Sequence, residues 1–192
     1  MRTPESWHLT TERLSLRPVQ VSETEEFFPL FCDPVISKDM AWTAHTDRDQ
    51  SRKFLIDAEN AFKLMRAVHW AVRHQGSLVG LFSLIDLRAR HRSIDYNRAE
   101  LAYWLSPSHQ RRGFMTEAGI AVVDFSFTQM NLNKLIVSHH AGNTASERLI
   151  RNLGFRFLYL EQEAFSKNGM KIDVHHYDLL HSAWQKNRIT DL

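Results

Sequence analysis

The 192-residue chain is long enough to bury one sizeable core and too short for two comfortable ones. Its twelve Phe and five Trp favour a packed globular fold over disorder. A formal charge of +2, with both signs interspersed, excludes an electrostatic binder of nucleic acid or membrane as the main role; only Arg88 to Arg92 and Arg111–Arg112 form local basic clusters.

In chain order, Arg13 to Val19 reads as a first strand through Leu14, Leu16 and the following Pro18. Ser22 with Glu25 has capping-box spacing and precedes Phe27, Leu30 and Phe31 on one helical face. Asp33-Pro34 ends that helix, because a residue before proline avoids helical backbone angles. A second helix carries Phe54, Ala58, Ala61 and Met65 as a core stripe, with Asp47 and Gln50 as its cap. The period then falls to two: Val68, Trp70 and Val72 alternate along a strand, Gln75-Gly76 turns, and Leu78 to Leu87 returns. A polar, Arg-rich segment leads to a strand at Ala99 to Leu105. Next come a helix from Gly113 to about Met130, a strand at Lys134 to His139, and a short helix at Ala145 to Leu153. Phe155 to Phe165 and Met170 to Leu180 form a hairpin about Asn168-Gly169. This order predicts a mixed α/β single domain spanning 1–192, with its core at about 10–181.

Cys32 is the one cysteine, so it cannot close an internal disulfide; it is expected as a buried helical thiol in a reducing compartment. No apolar stretch reaches membrane-spanning length, and Met1 to Pro18 lacks a signal-peptide core, so a cytoplasmic protein is expected. The histidine pairs His139–His140 and His175–His176 sit on predicted strands, where neighbours point to opposite faces. No zinc-type spacing accompanies them, and no metal is expected. Glu23, Glu25 and Glu26 could attract a polycation, but an acidic first helical turn is the simpler reading.

Gln110-Arg111-Arg112-Gly113-Phe114-Met115 lies between a strand and a long helix. The first N–H groups of a helix have no internal partner and the dipole there is positive, so an anion is favoured. Gly113 removes a Cβ, Arg111 and Arg112 supply forked donors, and Thr116 adds a hydroxyl. Together they read as a diphosphate cradle, although an ordinary helix start would carry the same residues.

The same stretch resembles the coenzyme A pyrophosphate loop of the GNAT superfamily, (Gln/Arg)-x-x-Gly-x-(Gly/Ala): Gln110 and Gly113 match, while Met115 replaces the last small residue. Within that superfamily, the run from Ala99 to Pro107 continuing through Gly113-Phe114-Met115-Thr116-Glu117-Ala118 resembles the ribosomal-protein N-terminal acetyltransferases, the RimJ/RimL-like branch. Thr11 to Pro18, Ala141-Gly142-Asn143, Ser146 and Leu153-Gly154-Phe155 carry the likeness over nearly the whole chain. It implies a GNAT fold: a mixed central sheet of about seven strands with a splayed pair, flanked by about four helices.

The resemblance further implies acetyl-CoA as co-substrate. The strand matching Ala99 to Leu105 would splay at a bulge and offer the backbone of Trp104 and Leu105 to the pantetheine arm. Arg111 to Thr116 would hold the pyrophosphate, and Asn143 the pantetheine or acetyl region. Glu100, on one strand face with Ala102 and Trp104, is the candidate base, although a structural carboxylate would suit the same position. Many members carry a tyrosine where this chain has Ile150, so Ser146 becomes the candidate proton donor, with a locally bonded hydroxyl as the alternative. Trp42 falls where members build the acceptor pocket. The implied reaction is acetyl transfer to a primary amine, with a protein N-terminus as the first acceptor. A polyamine, an amino acid derivative, an aminoglycoside or a non-catalytic acyl-CoA-binding role are the rivals. A homodimer is compatible with the sequence.

Overall fold

The computed structural model describes residues 7–91 and 93–190, with the side chains of 187–190 left aside; Arg92 of the basic cluster lies outside the described residues. Eight strands form one sheet among the described residues. They are β1 (Leu9–Thr10), β2 (Leu14–Pro18), β3 (Val68–His74), β4 (Ser77–His91), β5 (Ile94–Leu105), β6 (Lys134–His140), β7 (Arg156–Lys167) and β8 (Met170–Leu180). The spatial order is β1-β2-β3-β4-β5-β6-β8-β7. All neighbours are antiparallel except β5 and β6, whose crossover is α4 (Phe114–Thr128). The remaining helices are α1 (Thr24–Phe31), α2 (Pro34–Ser37), α3 (Arg48–Lys63), α5 (Thr144–Asn152) and α6 (His181–Thr190).

Each sheet face buries its own core. Leu14, Leu16, Trp70, Phe82, Leu84, Leu101, Leu135 and Val137 pack against Phe114, Ala118 and Val122 of α4 and Leu149 and Ile150 of α5. On the other face Ala71, Leu81 and Trp104 meet Phe27 and Phe31 of α1, Ile36 of α2, and Leu55 and Ala58 of α3. β3 is central and buried on both sides, and its polar residues are held by partners, His69 by Ser83 and Arg73 by Glu23 and Glu26. α4 and α5 touch closely: a Cβ at Gly119 would lie 2.8 Å from Leu153 Cδ1.

The chain order and the turns follow the sequence reading, with local differences. The 47–50 cap forms as expected, Asp47 accepting from the Gln50 N–H at 2.9 Å. Asp33-Pro34, expected only to stop α1, also starts α2, the Asp33 carboxylate accepting from Val35 N–H at 2.8 Å. The cap before α1 lies on an earlier pair, with the Gln20 N–H donating to Glu23 at 2.7 Å, because Glu23 is drawn inward by arginines. The α3 stripe is Ser51, Leu55 and Ala58; Met65 lies beyond the helix with φ 53° and is exposed. The polar segment between the expected strands is itself a continuation of the β4–β5 hairpin. Cys32 caps the end of α1 and is half-buried rather than a core thiol. β1 and α6 are short or polar and carry no periodic signal.

Candidate active site

β5 and β6 run side by side from Arg98–Lys134 to Leu101–Val137 and then part. Beyond that point Ala102 to Leu105 pair only with β4, and Ser138 to His140 only with β8. The sheet is therefore split into a β1–β5 half and a β6–β8–β7 half, opening a cleft between them. The expected bulge lies not on β5 but on β4: Ile85 faces Glu100 and Arg88 faces Arg98, so Asp86 and Leu87 together oppose Ala99.

Backbone parity decides which groups the cleft exposes. The Ser106 N–H donates to Val79 O at 2.8 Å, so the even residues of β5 turn their N–H and C=O groups towards β4. The odd residues face β6; the Asn97 carbonyl accepts from Asn133 there. Once β6 departs, the groups left for a ligand belong to Tyr103 and Leu105. Trp104 does not fit its expected role: its backbone serves β4, and its indole is 6% exposed, edge-on to Phe27 and Phe31. Leu105 turns its backbone groups to the cleft side, and Gln110 reaches its carbonyl through Nε2 at 3.3 Å.

The cradle forms at the mouth of the same cleft. Arg111 and Gly113 both take left-handed backbone angles, φ 63° and 79°. Gly113 is needed for this conformation rather than for space, since an added Cβ would meet only Arg13 at 3.4 Å. No side chain caps α4, so its first N–H groups point outward and uncompensated. Phe114 is an anchor, 1% exposed, its ring flanked by the guanidinium groups of Arg13 at 4.8 Å and Arg112 at 4.6 Å. Met115, the departure from the small-residue pattern, leans on the principal core and leaves the loop's outer surface open.

Arg13 joins this loop from a place the sequence does not reveal, the bend between β1 and β2. Its guanidinium pairs with Glu117 at 2.6 Å and bonds the Arg112 carbonyl at 3.1 Å. Glu117 would otherwise oppose an anion at this helix end. Desolvation works against its ionised form, but hydrogen bonds from Thr11 and Arg13 prevail and hold its carboxyl below the ordinary range. The acid is thus neutralised within the loop.

On the α5 side of the cleft Asn143 caps the helix, its amide oxygen accepting from the Ser146 N–H at 3.0 Å, a bond that does not use its amide nitrogen. The Ser146 hydroxyl meets the Tyr103 hydroxyl at 2.7 Å. Tyr103, stacked on Phe82 at 5.3 Å, was not singled out in the sequence, where it reads as one more strand aromatic. Burial pushes its phenol up to about 12. Ile150, at the position where a tyrosine is common, is wholly buried in the core.

Glu100 lies on the opposite face, one residue before the strands part. Ser138 donates to its Oε1 at 3.2 Å. Burial raises its carboxyl above the ordinary range, opposed by the Ser138 bond; Asp86 adds to the rise, and His176 and Arg98 oppose it. Trp42 is half-buried at the edge of the second core, 5.5 Å edge-on to Phe31 and 5.6 Å from His45. The Glu23–Glu25–Glu26 trio is consumed internally: Glu23 meets Arg73 at 2.7 Å and Arg17 at 2.9 Å, Glu26 meets Arg73 at 2.8 Å, and Glu25 meets Arg48 at 3.1 Å. It offers no free acidic patch.

The cleft, the uncapped helix start and the open edge of β5 fit the coenzyme A arrangement that the sequence implies. Residues 13–156 match the acetyltransferase (GNAT) domain family. An uncharacterized N-acetyltransferase, p20 of Bacillus licheniformis, is 29% identical over 182 residues, covering 90% of this chain and 95% of p20. The fold matches a ribosomal L7/L12 alpha-N-protein acetyltransferase, RimL, in complex with coenzyme A, with TM-score 0.82 and 19% identity over 92% of this chain and 99% of that one. It also matches a spermidine N-acetyltransferase from Vibrio cholerae in complex with coenzyme A and spermine, with TM-score 0.79 and 23% identity over 91% and 99% of the two chains. The chain belongs to the GNAT family of acetyl-CoA-dependent acyltransferases.

Proposed function

We propose that this GNAT acyltransferase moves an acetyl group from acetyl-CoA to a primary amine that enters on the α1–α3 face of the cleft, with a protein N-terminal amine as the acceptor. The observation that carries this reading is the placement of two different chemistries on opposite faces of one strand. Glu100 faces the acceptor side, while Tyr103 and Ser146 face the α5 side, and the strand between them ends in an unpaired edge. An amine attacking from one face meets a carboxylate, and the charge it displaces develops towards the hydroxyl pair.

Glu100 accepts the proton of the attacking amine, directly or through water. An α-amino group titrates at about 7.7–8.0 and a lysine-type amine at about 10.4, so near neutral pH an N-terminal amine needs only a weak base to become reactive. One half-buried carboxylate of raised basicity suits that demand. Tyr103 and Ser146 act as hydrogen-bond donors rather than as a full acid. Passing a proton from a phenol at about 12 to a thiolate whose acid form sits at about 8.5 is uphill by about 5 kcal/mol. The pair instead stabilises negative charge on the carbonyl oxygen or the departing sulfur.

Acetyl-CoA would lie with its pyrophosphate on the N–H groups of Arg111 to Thr116 and the charges of Arg111 and Arg112, with Arg13 cancelling Glu117 beside them. Its pantetheine arm would run along Tyr103 and Leu105, with the Asn143 amide beside it. Trp42 contributes its exposed edge to the acceptor wall. A polyamine is the second reading, supported by the likeness to the spermidine enzyme; exposed Glu161 and Glu163 on β7 are already paired with His176 and Lys171 and add little to it.

An acceptor screen decides between them. Free thiol is followed with acetyl-CoA and short peptides bearing free N-termini, spermidine, or an aminoglycoside. Peptide turnover supports the first reading and spermidine turnover the second. No amine-dependent thiol release with any of them would reject both.

A further inference from the structure

Lys167 is the last residue of β7, in the β6–β8–β7 half of the sheet, yet its ammonium sits among four carbonyl oxygens from the other half. It reaches Ser37 O at 2.5 Å, Met40 O at 2.6 Å, Lys38 O at 3.1 Å and Trp42 O at 3.2 Å. These carbonyls belong to the end of α2 and the irregular segment after it, whose side chains Ile36, Met40 and Trp42 pack on the α1–α3 core. α2 has no basic residue in its own last turn, so a lysine about 130 positions away supplies the cation its C-terminus favours. An ammonium has three N–H groups, so with four acceptors at least one is shared.

The contact spans the cleft on the face that carries Glu100. The β5–β6 ladder ends at Leu101–Val137, and beyond it the two halves diverge. Lys167 ties the segment bearing Trp42 on one bank to the β7–β8 hairpin on the other. Without it, the carbonyls it gathers would lose their shared charged donor, and that loss favours movement of the segment into water.

We infer that Lys167 is a positioning residue for the acceptor, a strap that holds residues 37–42 over the acceptor side of the cleft and sets the height of the wall made by Trp42. This rests on the reading that the amine enters over Glu100. Replacing Lys167 loosens the wall and weakens acceptor binding, while the cradle at Arg111 to Thr116, on another part of the cleft, keeps its hold on acetyl-CoA.

Lys167→Met and Lys167→Arg test this by two readouts. The first needs no activity: trypsin cleavage after Lys38, whose carbonyl the strap holds, is followed by mass in each full-length protein. Cleavage at least tenfold faster in Lys167→Met, with Lys167→Arg between it and wild type, is expected. The second uses whichever of spermidine or the N-terminal peptide the wild type acetylates. A roughly tenfold rise in acceptor KM is expected, with the acetyl-CoA KM within twofold. Unchanged cleavage at Lys38 overturns the strap; an unchanged acceptor KM, or both KM values rising together, overturns its role in acceptor binding. If Lys167→Met does not fold, Lys167→Arg is read by the same two criteria. A wild type that acetylates no amine rejects the proposed function and leaves the proteolysis result to judge the strap by itself.

Discussion

Tyr103 and Ser146, 43 positions apart in the chain, share a 2.7 Å hydrogen bond that joins the open end of β5 to the first turn of α5. The bond sits where the central strands have parted, so neither hydroxyl is needed to close the sheet. Its surroundings are apolar enough to raise the phenol to about 12. A half-buried hydroxyl pair of this kind, beside a cleft, is suited to meeting charge that forms there during a reaction.

Tyr103→Phe and Ser146→Ala should each lower kcat by about tenfold to a hundredfold and leave the acetyl-CoA KM nearly unchanged. The double variant should fall short of the product of the two losses, because both changes break the same bond. Steady-state kinetics with thiol detection provides the check. Independent, multiplying effects would show that the hydroxyls do not act as a unit.

Glu100→Gln should lower kcat/KM by about a hundredfold, the lower end of the range for a general base. In the wild type the acid limb of kcat/KM should lie above the ordinary glutamate range, since burial raises this carboxyl. Activity is lost as pH falls and Glu100 takes up a proton. The variant should lack that limb. A variant within threefold of wild type would remove Glu100 from the role of base and leave it as a partner of Ser138.

Gly113→Ala forces a side chain into a left-handed conformation at φ 79°, costing about 1–2 kcal/mol at that residue. The loop should respond by shifting, and the affinity for coenzyme A should fall. Arg13→Ala should weaken binding as well, since it removes a cation and leaves Glu117 facing the anion. Thermal shift against coenzyme A concentration measures both. A wild type whose melting temperature does not rise at saturating coenzyme A would contradict the cradle itself.

His69 is enclosed between Ser83, bonded at 2.8 Å, and Phe54, and burial lowers its pKa to about 4 from an unfolded value near 6.5. The neutral ring is therefore the form the fold prefers. Its stabilising effect is complete above about pH 6.5 and is lost as pH falls towards 4. The difference is about 3 kcal/mol, at about 1.4 kcal/mol per unit. Urea denaturation between pH 7 and 4 should show this slope in the wild type and a flatter one in His69→Gln. Equal slopes would assign the acid sensitivity to other groups.

Much of the architecture was legible in the chain because it rests on local rules. Gln75-Gly76 and Asn168-Gly169 demand left-handed turns, and both are hairpin tips here. The Asp47 cap and the apolar stripe of α1 need only neighbours within a few residues. The long β4–β5 hairpin was missed beyond Leu87 because its residues are exposed and charged, so no alternation of burial marks it.

The conformation of the loop before α4 was legible for the same reason. An uncapped helix start after a left-handed glycine is a local arrangement, and Gln110 to Thr116 encode it within seven positions. Which groups of β5 face the cleft could not be read, since backbone parity depends on where Ser106 bonds to Val79 on another strand. That register replaces Trp104 with Tyr103. The partners of Glu117, of the Glu23 trio and of Lys167 are likewise supplied by distant strands and helices. Sequence by itself determined most of the elements, the family and the shape of the loop that opens α4, because these rest on short-range patterns. Only the tertiary structure decided how hydroxyl, carboxylate and ammonium are shared out around the cleft, because those interactions join residues that are tens of positions apart in the chain.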